Sequence, residues 1–229
     1  MKQSGINLRK SFLTIGVFLM ILCGCKKDET VPTVNDIDGN AYHTVTIGTQ
    51  VWMVENFKST KYNDDSSIPL VTDPTEWENL NTGAYCLYDN NINNKGIYGA
   101  LYNWNAVNSG KLCPTGWHVP TRTDWETLLD FLGGEAMEVG GKLKEKGNTH
   151  WQTPNSGATD EYGFKALPGG ERYGYGEFTY LGTKSNMWSS TASSETETYG
   201  LRLFHDAIEF HFTTGWDKKR GLSVRCIQN

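Results

Sequence analysis

Residues 113–134, which read CPTGWHVPTRTDWETLLDFLGG, contain the clearest predicted element of the chain. Thr121 suits the N-cap of a helix, and Asp124 three residues later can complete a capping box that satisfies free backbone amides. The apolar residues that follow recur at the spacing of one helix face: Trp125, Leu128, Leu129 and Leu132. The glycine pair at 133–134 then favours a left-handed stop. The segment therefore predicts an amphipathic helix that packs one face on a core.

Outside this helix, the chain from residue 36 onward mostly predicts short strands. The runs 42–47 and 51–54 are rich in β-formers and flank a Gly48 turn, which is typical of a hairpin. Alternating apolar residues indicate more strands in the last third, where 222–227 would be the closing strand. Weaker patterns predict two further helices, over 98–107 and 135–144. We therefore predict one α+β domain over 36–229.

The composition excludes several classes of protein. The chain has 229 residues, with 21 Lys and Arg against 26 Asp and Glu, and a formal net charge of −5. It therefore has no electrostatic basis for binding nucleic acid, which depends on neutralising phosphates. No apolar stretch reaches the length of about 18 residues that indicates a membrane-spanning helix. The 25 glycines and 8 tryptophans are not typical of disordered or coiled-coil chains.

The first residues of the chain have the pattern of an export signal. Basic residues at positions 2, 9 and 10 precede a charge-free run over 12–22, which is too short to cross a bilayer of about 30 Å. The run ends in Leu22-Cys23-Gly24-Cys25, which resembles the lipobox of bacterial lipoproteins. That resemblance implies that residues 1–24 are a removed signal peptide and that Cys25 is acylated on its thiol and its new amine.

Two other interpretations of this segment stay open. The signal could be an ordinary secretory peptide that is cleaved elsewhere. Cys23 and Cys25 also have the spacing of a metal-binding pair, although a segment that is removed on export cannot hold a metal ion.

Residues 25–35 are predicted to be a lipidated tether. They carry too little apolar surface to fold alone. Their Lys26-Lys27-Asp28-Glu29 stretch resembles the signal that some Gram-negative bacteria use to send lipoproteins to the outer face of the outer membrane. A merely solvated linker is the alternative. The expected location is the cell envelope, with the lipid anchor as the membrane partner and the domain on the extracellular side.

Three cysteines remain in the predicted domain, so one intramolecular disulfide is the maximum. We predict a bond between Cys113 and Cys226, because Cys113 opens a turn and Cys226 lies in the apparent last strand. Cys86 would then be an inert buried thiol. A nucleophilic Cys86 is the alternative, but no histidine or basic residue flanks it.

Several segments in one order resemble the Fibrobacter succinogenes major paralogous domain, a family of exported bacterial proteins. They are residues 38–40 with 47–56, 83–86, 113–120 with Trp125, 166–170, 188–190 and 221–226. This family is similar to the C-type-lectin-like fold of the formylglycine-generating, sulfatase-modifying enzymes. The resemblance implies short twisted strands, few helices and long loops.

The chain departs from the two best-known chemistries of that fold. The oxidase binds copper with two cysteines that are close in sequence, whereas the mature cysteines here are far apart. Calcium-dependent lectins use Glu-Pro-Asn or Gln-Pro-Asp, and none of the seven prolines follows Glu or Gln. We therefore predict no cofactor and no catalytic residues; an enzyme of unknown type on the same scaffold is an alternative.

One group of side chains has to be considered as a metal site. His205, Glu209 and His211 could approach a zinc ion across a hairpin, which would require further ligands in tetrahedral positions. No further ligand is obvious in the sequence. We therefore predict no metal site.

Aromatic side chains give the one indication of binding. Tyr173 and Tyr175 alternate with glycine in residues 169–176, and Trp216 lies among polar residues. Loops that carry rings on a rigid scaffold are typical of binding surfaces. We predict that these three residues and Trp188 bind an extracellular glycan or protein, as in adhesion. Two alternatives are that the rings only pack the loops, and that the protein is a structural surface component.

Overall fold

The structure, a computed structural model, describes residues 1–2, 32–134 and 139–229. Cys25, nearly all of the predicted signal peptide and most of the predicted tether lie outside the described residues. In the described part, no helix has both the length and the apolar character needed to cross a bilayer. From residue 32 onward the described residues belong to one compact unit.

The strands are short and form two five-stranded sheets and a two-stranded ribbon. In chain order they are β1 (Thr33–Asn35), β2 (Ala41–Ile47), β3 (Gln50–Met53), β4 (Tyr85–Cys86), β5 (Leu101–Tyr102), β6 (Trp117–His118), β7 (Gly169–Arg172), β8 (Phe178–Leu181), β9 (Lys184–Ala192), β10 (Glu197–Phe204), β11 (His211–Asp217) and β12 (Ile227–Gln228). The first sheet has the order β1-β2-β3-β12-β6, and the second has the order β11-β10-β9-β7-β8. Strands β7 and β9 are parallel, and the other pairs are antiparallel.

The helices are few, which agrees with the α+β prediction. They are α1 (Pro74–Glu78), α2 (Asn93–Tyr98), α3 (Trp104–Val107) and α4 (Arg122–Leu132), with 3₁₀ turns at Tyr88–Asn90 and Gly140–Lys142. The capping box between Thr121 and Asp124 is present at the start of α4. Trp125, Leu128 and Leu132 are buried, so the predicted amphipathic helix is confirmed.

The β2–β3 hairpin is confirmed, with Ile47 opposite Gln50 and Gly48 at a φ of +61°. The predicted helix over 98–107 is wrong over residues 99–103, because only residue 98 and residues 104–107 are helical. Gly99, at a φ of +78°, ends α2, and the side chain of Asn103 caps α3, so that β5 lies between the two helices.

The predicted helix over 135–144 falls partly on residues 135–138, which are not described. Residues 140–142 form a 3₁₀ turn and not an α-helix. The backbones of Glu209 and Gly157 lie where a Cβ on Gly140 and on Gly141 would be. The two glycines thus allow a close approach of backbones.

The second sheet separates two hydrophobic clusters. Neighbouring side chains of a strand point to opposite faces, and in β9 Trp188 belongs to one cluster while Met187 belongs to the other. The first cluster includes Tyr42, Phe57, Tyr102, Trp188 and Trp216. The second includes Trp52, Trp125, Phe164, Met187 and Leu203. The second sheet therefore packs against one hydrophobic cluster on each of its two faces.

The Cys113–Cys226 disulfide is present, as predicted. Cys113 lies in the segment before β6, and Cys226 is the residue before β12. The two cysteines are 113 positions apart in the sequence. Ile227 pairs with Trp52 of β3 and with His118 of β6. The bond therefore fixes the end of the chain inside the first sheet.

Candidate ligand-binding surface

Trp216 and Trp188 are buried, which corrects the prediction that they help to form a binding surface. Trp216 is 2% exposed and Trp188 is 0% exposed. The rings meet edge to face with centroids 5.9 Å apart. Trp216 can lie inside because Gly200 on the adjacent strand leaves the space that a Cβ would fill. The polar residues around Trp216 in the sequence give no sign of this space.

Tyr173 and Tyr175 lie together on the turn between β7 and β8, and Tyr175 is 55% exposed. Their rings are stacked, with centroids 5.1 Å apart and planes inclined by 10°. The Tyr173 amide donates to the carbonyl of Glu177 at 2.7 Å. Gly176 has a φ of +98°, and a Cβ there would collide with Pro74. The turn thus presents two parallel rings, and their role in binding stays a prediction.

The guanidinium group of Arg172 stabilises this turn through hydrogen bonds to backbone carbonyls. It is fully buried, and its Nε donates to the carbonyl of Gly176 at 3.0 Å. Its Nη1 and Nη2 donate to the carbonyls of Val71 and Thr72 at 2.7 and 2.9 Å. The guanidinium also lies 4.6 Å from the centroid of the Trp77 ring. A turn that is fixed in this way loses little entropy when it binds a ligand.

A second cation, the half-buried Arg220, supports Tyr173. The guanidinium carbon of Arg220 lies 4.5 Å from the centroid of the Tyr173 ring. Its Nη1 donates at 2.9 Å to Glu171, whose side chain is fully buried. The phenol oxygens of Tyr173 and Tyr180 are 3.3 Å apart, and this hydrogen bond, together with burial, raises the pKa of Tyr173 to about 12. The ring is therefore a neutral phenol at physiological pH.

A cavity of about 290 Å³ opens beside the two rings. Its lining side chains are Tyr173, Tyr175, Glu78, Asp217, Lys219 and Arg220. Aromatic faces can stack on apolar surfaces, while carboxylates and cations can accept and donate hydrogen bonds. The combination can hold a ligand that has both a flat apolar face and hydroxyl groups.

Sequence reasoning found the two tyrosines but not the residues that position them. Glu171 and Tyr173 are two residues apart, so the alternation of an extended segment predicts both on one face and Arg172 on the other. This alternation was readable in the sequence. The partners of the two arginines come from distant segments, and no local spacing indicates them.

A larger cavity of about 460 Å³ lies beside the β2–β3 hairpin. Nδ1 of His43 is 2.6 Å from Oε1 of Glu55, which orients the imidazole. Glu145 and Lys165 also line the cavity. No serine or cysteine is among the described residues that line this cavity. The His–Glu pair therefore has no hydroxyl or thiol nucleophile from a serine or cysteine beside it.

The sequence candidates for a metal site do not converge. Nδ1 of His205 is 3.2 Å from the carbonyl oxygen of Thr153, and Oε2 of Glu209 accepts from the Ile208 amide. Among residues 1–2, 32–134 and 139–229, no group of three or more His, Cys, Asp or Glu side chains is arranged to hold a metal ion.

Cys86 is fully buried and has no disulfide partner within the described residues. Burial raises its pKa to about 12. The thiol therefore stays protonated at physiological pH, which is unfavourable for a nucleophile.

The comparisons with known proteins give one match. The family model of the Fibrobacter succinogenes major domain matches residues 45–228 of the chain, from within β2 to the last residue of β12. No curated protein and no solved structure matches the chain. The match includes the two sheets apart from β1 and the first residues of β2, and it also includes the helix α4 and both half-cystines.

Proposed function

The chain belongs to the Fibrobacter succinogenes major domain family, and from this premise we propose that it is a non-catalytic lipoprotein domain that binds an extracellular glycan. The observation that carries the proposal is the parallel Tyr173–Tyr175 pair on an anchored turn. Planar rings stack on the apolar face of a sugar ring and bury area at low entropy cost. Asp217 and Glu78 in the adjacent cavity supply acceptors for sugar hydroxyls.

A glycan suits the surface better than a protein partner does. The cavity of about 290 Å³ is just below the usual range for small-molecule sites, roughly 300–1,000 Å³, and would hold one unit of a polymer. A stable protein interface buries about 800 Å² on each side. The exposed ring of Tyr175 is a much smaller feature than such an interface. Binding of a protein partner in place of a glycan would therefore contradict the proposal.

The fold that we propose is the C-type-lectin-like fold of the sulfatase-modifying enzymes. The support is the combination of short strands, few helices and long connections, together with the motif order that the sequence shares with the family. The determination of an experimental structure and its superposition on that fold would test this assignment.

The first test compares glycan binding of the whole protein with that of three variants. Tyr175→Ala and Tyr173→Ala each remove a stacking ring, and we expect each to weaken binding on a glycan array by about tenfold, or about 1.4 kcal/mol. Phe131→Ala is the matched control, because Phe131 on α4 is also exposed, at 48%. Unchanged binding by both tyrosine variants would reject this surface. Binding to no glycan would favour the structural-component alternative.

The anchor and the location are part of the same proposal. The lipobox at 22–25 supports acylation of Cys25, and each buried methylene of an acyl chain contributes about 0.8 kcal/mol to membrane binding. We expect radiolabelled palmitate to enter the protein but not the Cys25→Ser variant. Protease treatment of intact cells should digest the domain if it faces outward. A protein that stays soluble and unlabelled would reject the anchor.

The enzyme alternative has one observation in its favour, the oriented His43 in the cavity of about 460 Å³. A His–Glu pair can act as a general base if a substrate binds beside it. A panel of chromogenic esters and glycosides would test this. Turnover by the wild type that is abolished in His43→Gln would establish an enzyme, and the absence of turnover across the panel would reject this function for the pair.

A further inference from the structure

One face of the second sheet carries unexpected positive charge. Lys184 and Asn186 are two residues apart in β9, so their side chains point to the same face. Lys184 is opposite Phe204 of β10, and Asn186 is opposite Arg202. Residues that are directly opposite in an antiparallel pair also share a face. The four side chains therefore lie on one face of the sheet, which we call the cationic sheet face.

The two cations of this face lie around one aromatic ring. Nζ of Lys184 is 5.4 Å from the centroid of Phe204, and the guanidinium carbon of Arg202 is 5.9 Å from the same centroid. Lys184 is also 3.2 Å from the centroid of the Tyr180 ring. Lys184, Arg202 and Phe204 are all half-buried. Both charges thus border the same ring and are partly withdrawn from water, which strengthens the interaction of each with an anion.

Neither cation is neutralised by a carboxylate. In the part of the chain that the structure describes, no Asp or Glu oxygen lies within 4.0 Å of Lys184 or Arg202. The nearby Glu171 is bonded to Arg220 instead. The partner of Arg202 is the neutral amide oxygen of Asn186, at 3.0 Å. Burial lowers the pKa of Arg202. Two unneutralised cations are unusual on a chain whose formal net charge is −5.

Two buried donors beside Arg202 also have no acceptor. Nδ2 of Asn186 and Nε1 of Trp216 are buried and make no hydrogen bond in the described structure. The guanidinium carbon of Arg202 lies 5.1 Å from the centroid of the Trp216 ring. Buried donors in native proteins are nearly always paired with protein or water. Because both atoms are inaccessible from the surface, a buried water beside Arg202, and not the ligand itself, would supply these acceptors.

The cationic sheet face adjoins the tyrosine pair. Tyr180 contacts Lys184 on one side, and its phenol oxygen is 3.3 Å from that of Tyr173 on the other. A single extended ligand can therefore contact the rings and the cations together. The few cations here would suit a polymer with one charge on each sugar unit. They are too few for a nucleic acid, whose affinity rises with the number of phosphates contacted.

We infer that Lys184 and Arg202 bind the acidic group of the ligand, so that the glycan recognised at Tyr173 and Tyr175 is an acidic polysaccharide that carries carboxylate or sulfate groups. This inference rests on the proposed function and adds the chemical class of the ligand. Arginine can hold either group with two parallel hydrogen bonds, and lysine adds a point charge.

The test uses two pairs of polymers that share a backbone and differ in charge. Polygalacturonate is compared with its methyl ester, and dextran sulfate with dextran, by calorimetric titration of the whole protein in about 0.15 M salt. We expect one acidic member to bind at least about tenfold more tightly than its neutral partner. Lys184→Gln and Arg202→Gln should each remove most of that preference, and the Lys146→Gln control, a change at an exposed loop residue, should not.

The outcomes separate this inference from the proposed function. Equal affinity for acidic and neutral polymers, with Tyr175→Ala still weakening both, would overturn the acidic-ligand inference and leave glycan binding intact. A preference that Arg202→Gln and Lys184→Gln abolish, while Tyr175→Ala has no effect, would support the cationic sheet face and reject the stacking surface. A preference that survives both glutamine variants would overturn the assignment of these cations. Thermal unfolding of each variant establishes that it is folded.

Discussion

Nε of Arg172 donates a 3.0 Å hydrogen bond to the carbonyl oxygen of Gly176, across the turn that carries Tyr173 and Tyr175. The same guanidinium bonds two carbonyls of the segment that precedes α1. It therefore ties the exposed turn to a part of the chain about a hundred residues earlier. A buried cation thus helps to fix the position of the stacked rings.

Replacement of Arg172 by methionine is expected to lower both stability and binding. The change leaves three carbonyl groups without their donor, at a cost of about 1–3 kcal/mol for each buried unsatisfied group. We expect the free energy of unfolding in urea to fall by at least about 3 kcal/mol. At a temperature where the variant stays folded, glycan affinity should fall as it does in Tyr175→Ala, because the turn is no longer fixed.

Arg122→Met is the matched control for this prediction. Arg122 is exposed and pairs with Glu126 at 2.6 Å, and surface pairs of this kind contribute about 0–1 kcal/mol. If Arg172→Met kept full binding, the turn would be shown to hold its conformation without the cation below it.

The sequence predicted those features that depend on nearby residues. The start of α4 could be predicted because Thr121 and Asp124 satisfy each other's backbone amides within one turn of helix. The β2–β3 hairpin could be predicted because Gly48 supplies the turn between two β-rich runs. The exposure of Tyr175 followed from its glycine neighbours in the same way.

Features that depend on distant segments were beyond the sequence. Trp216 is surrounded by polar residues in the chain, yet it is buried because Gly200 on another strand makes room for it. Lys144 is fully buried because its Nζ donates to the carbonyls of Ser156, Phe204 and Ala207. Lysine side chains are usually exposed, so the residue type alone predicts exposure at this position. Lys144 is buried only because three separate segments pack around its ammonium group.

Removal of the disulfide is expected to destabilise the domain strongly. The bond joins residues that are 113 positions apart, and the chain-entropy model gives about 5 kcal/mol for a loop of that size. The double change Cys113→Ala with Cys226→Ala should lower the unfolding free energy by up to that amount. The wild type should show the same loss in dithiothreitol, as measured by urea denaturation.

Cys86→Ala is the control for the disulfide, because its thiol is buried and unbonded in the described structure. This variant should remain as sensitive to dithiothreitol as the wild type. A wild-type protein whose urea midpoint does not change on reduction would contradict the prediction.

The start of α4 is expected to make stability depend on pH near neutrality. A hydrogen bond of 3.0 Å between Nε2 of His118 and Oδ2 of Asp124 is the main cause that raises the pKa of His118 above its ordinary 6.5. A raised pKa in the folded state means that the stabilisation is complete below about pH 6.5 and is lost as the pH rises through the folded value. We therefore expect the urea midpoint to fall as the pH rises above about 6.5.

Asp124 limits the same stabilisation at acid pH. Burial raises the pKa of this carboxyl, but its hydrogen bonds with His118 and Thr121 outweigh burial, and the net pKa is lowered. Its contribution is therefore lost as the pH falls through that value. His118→Gln should flatten the slope near neutrality, and His211→Gln, a change at an exposed residue on β11, should keep it. A slope that is identical in His118→Gln would assign the titration to another group.

Introduction of a methyl group at Gly200 tests why Trp216 is buried. A Cβ at this position would overlap the six-membered ring of Trp216. Strand β10 is held between β9 and β11, so its backbone has little freedom to retreat. We expect Gly200→Ala to cost about 1–3 kcal/mol, as overpacking of a core does, and to shift the tryptophan fluorescence to the red. Gly96→Ala is the control, since nothing lies within 4 Å of a Cβ there.

A double-mutant cycle makes this prediction specific to the pair. Trp216→Leu alone should destabilise the protein by leaving a cavity, whereas the methyl group of Gly200→Ala should be tolerated once the indole is gone. A coupling energy of at least about 1 kcal/mol between the two changes is therefore expected. If Gly200→Ala left the unfolding free energy unchanged while the fluorescence shifted, the indole would be able to leave the core at no cost. Trp216 would then return as a candidate for the binding surface beside Tyr173 and Tyr175.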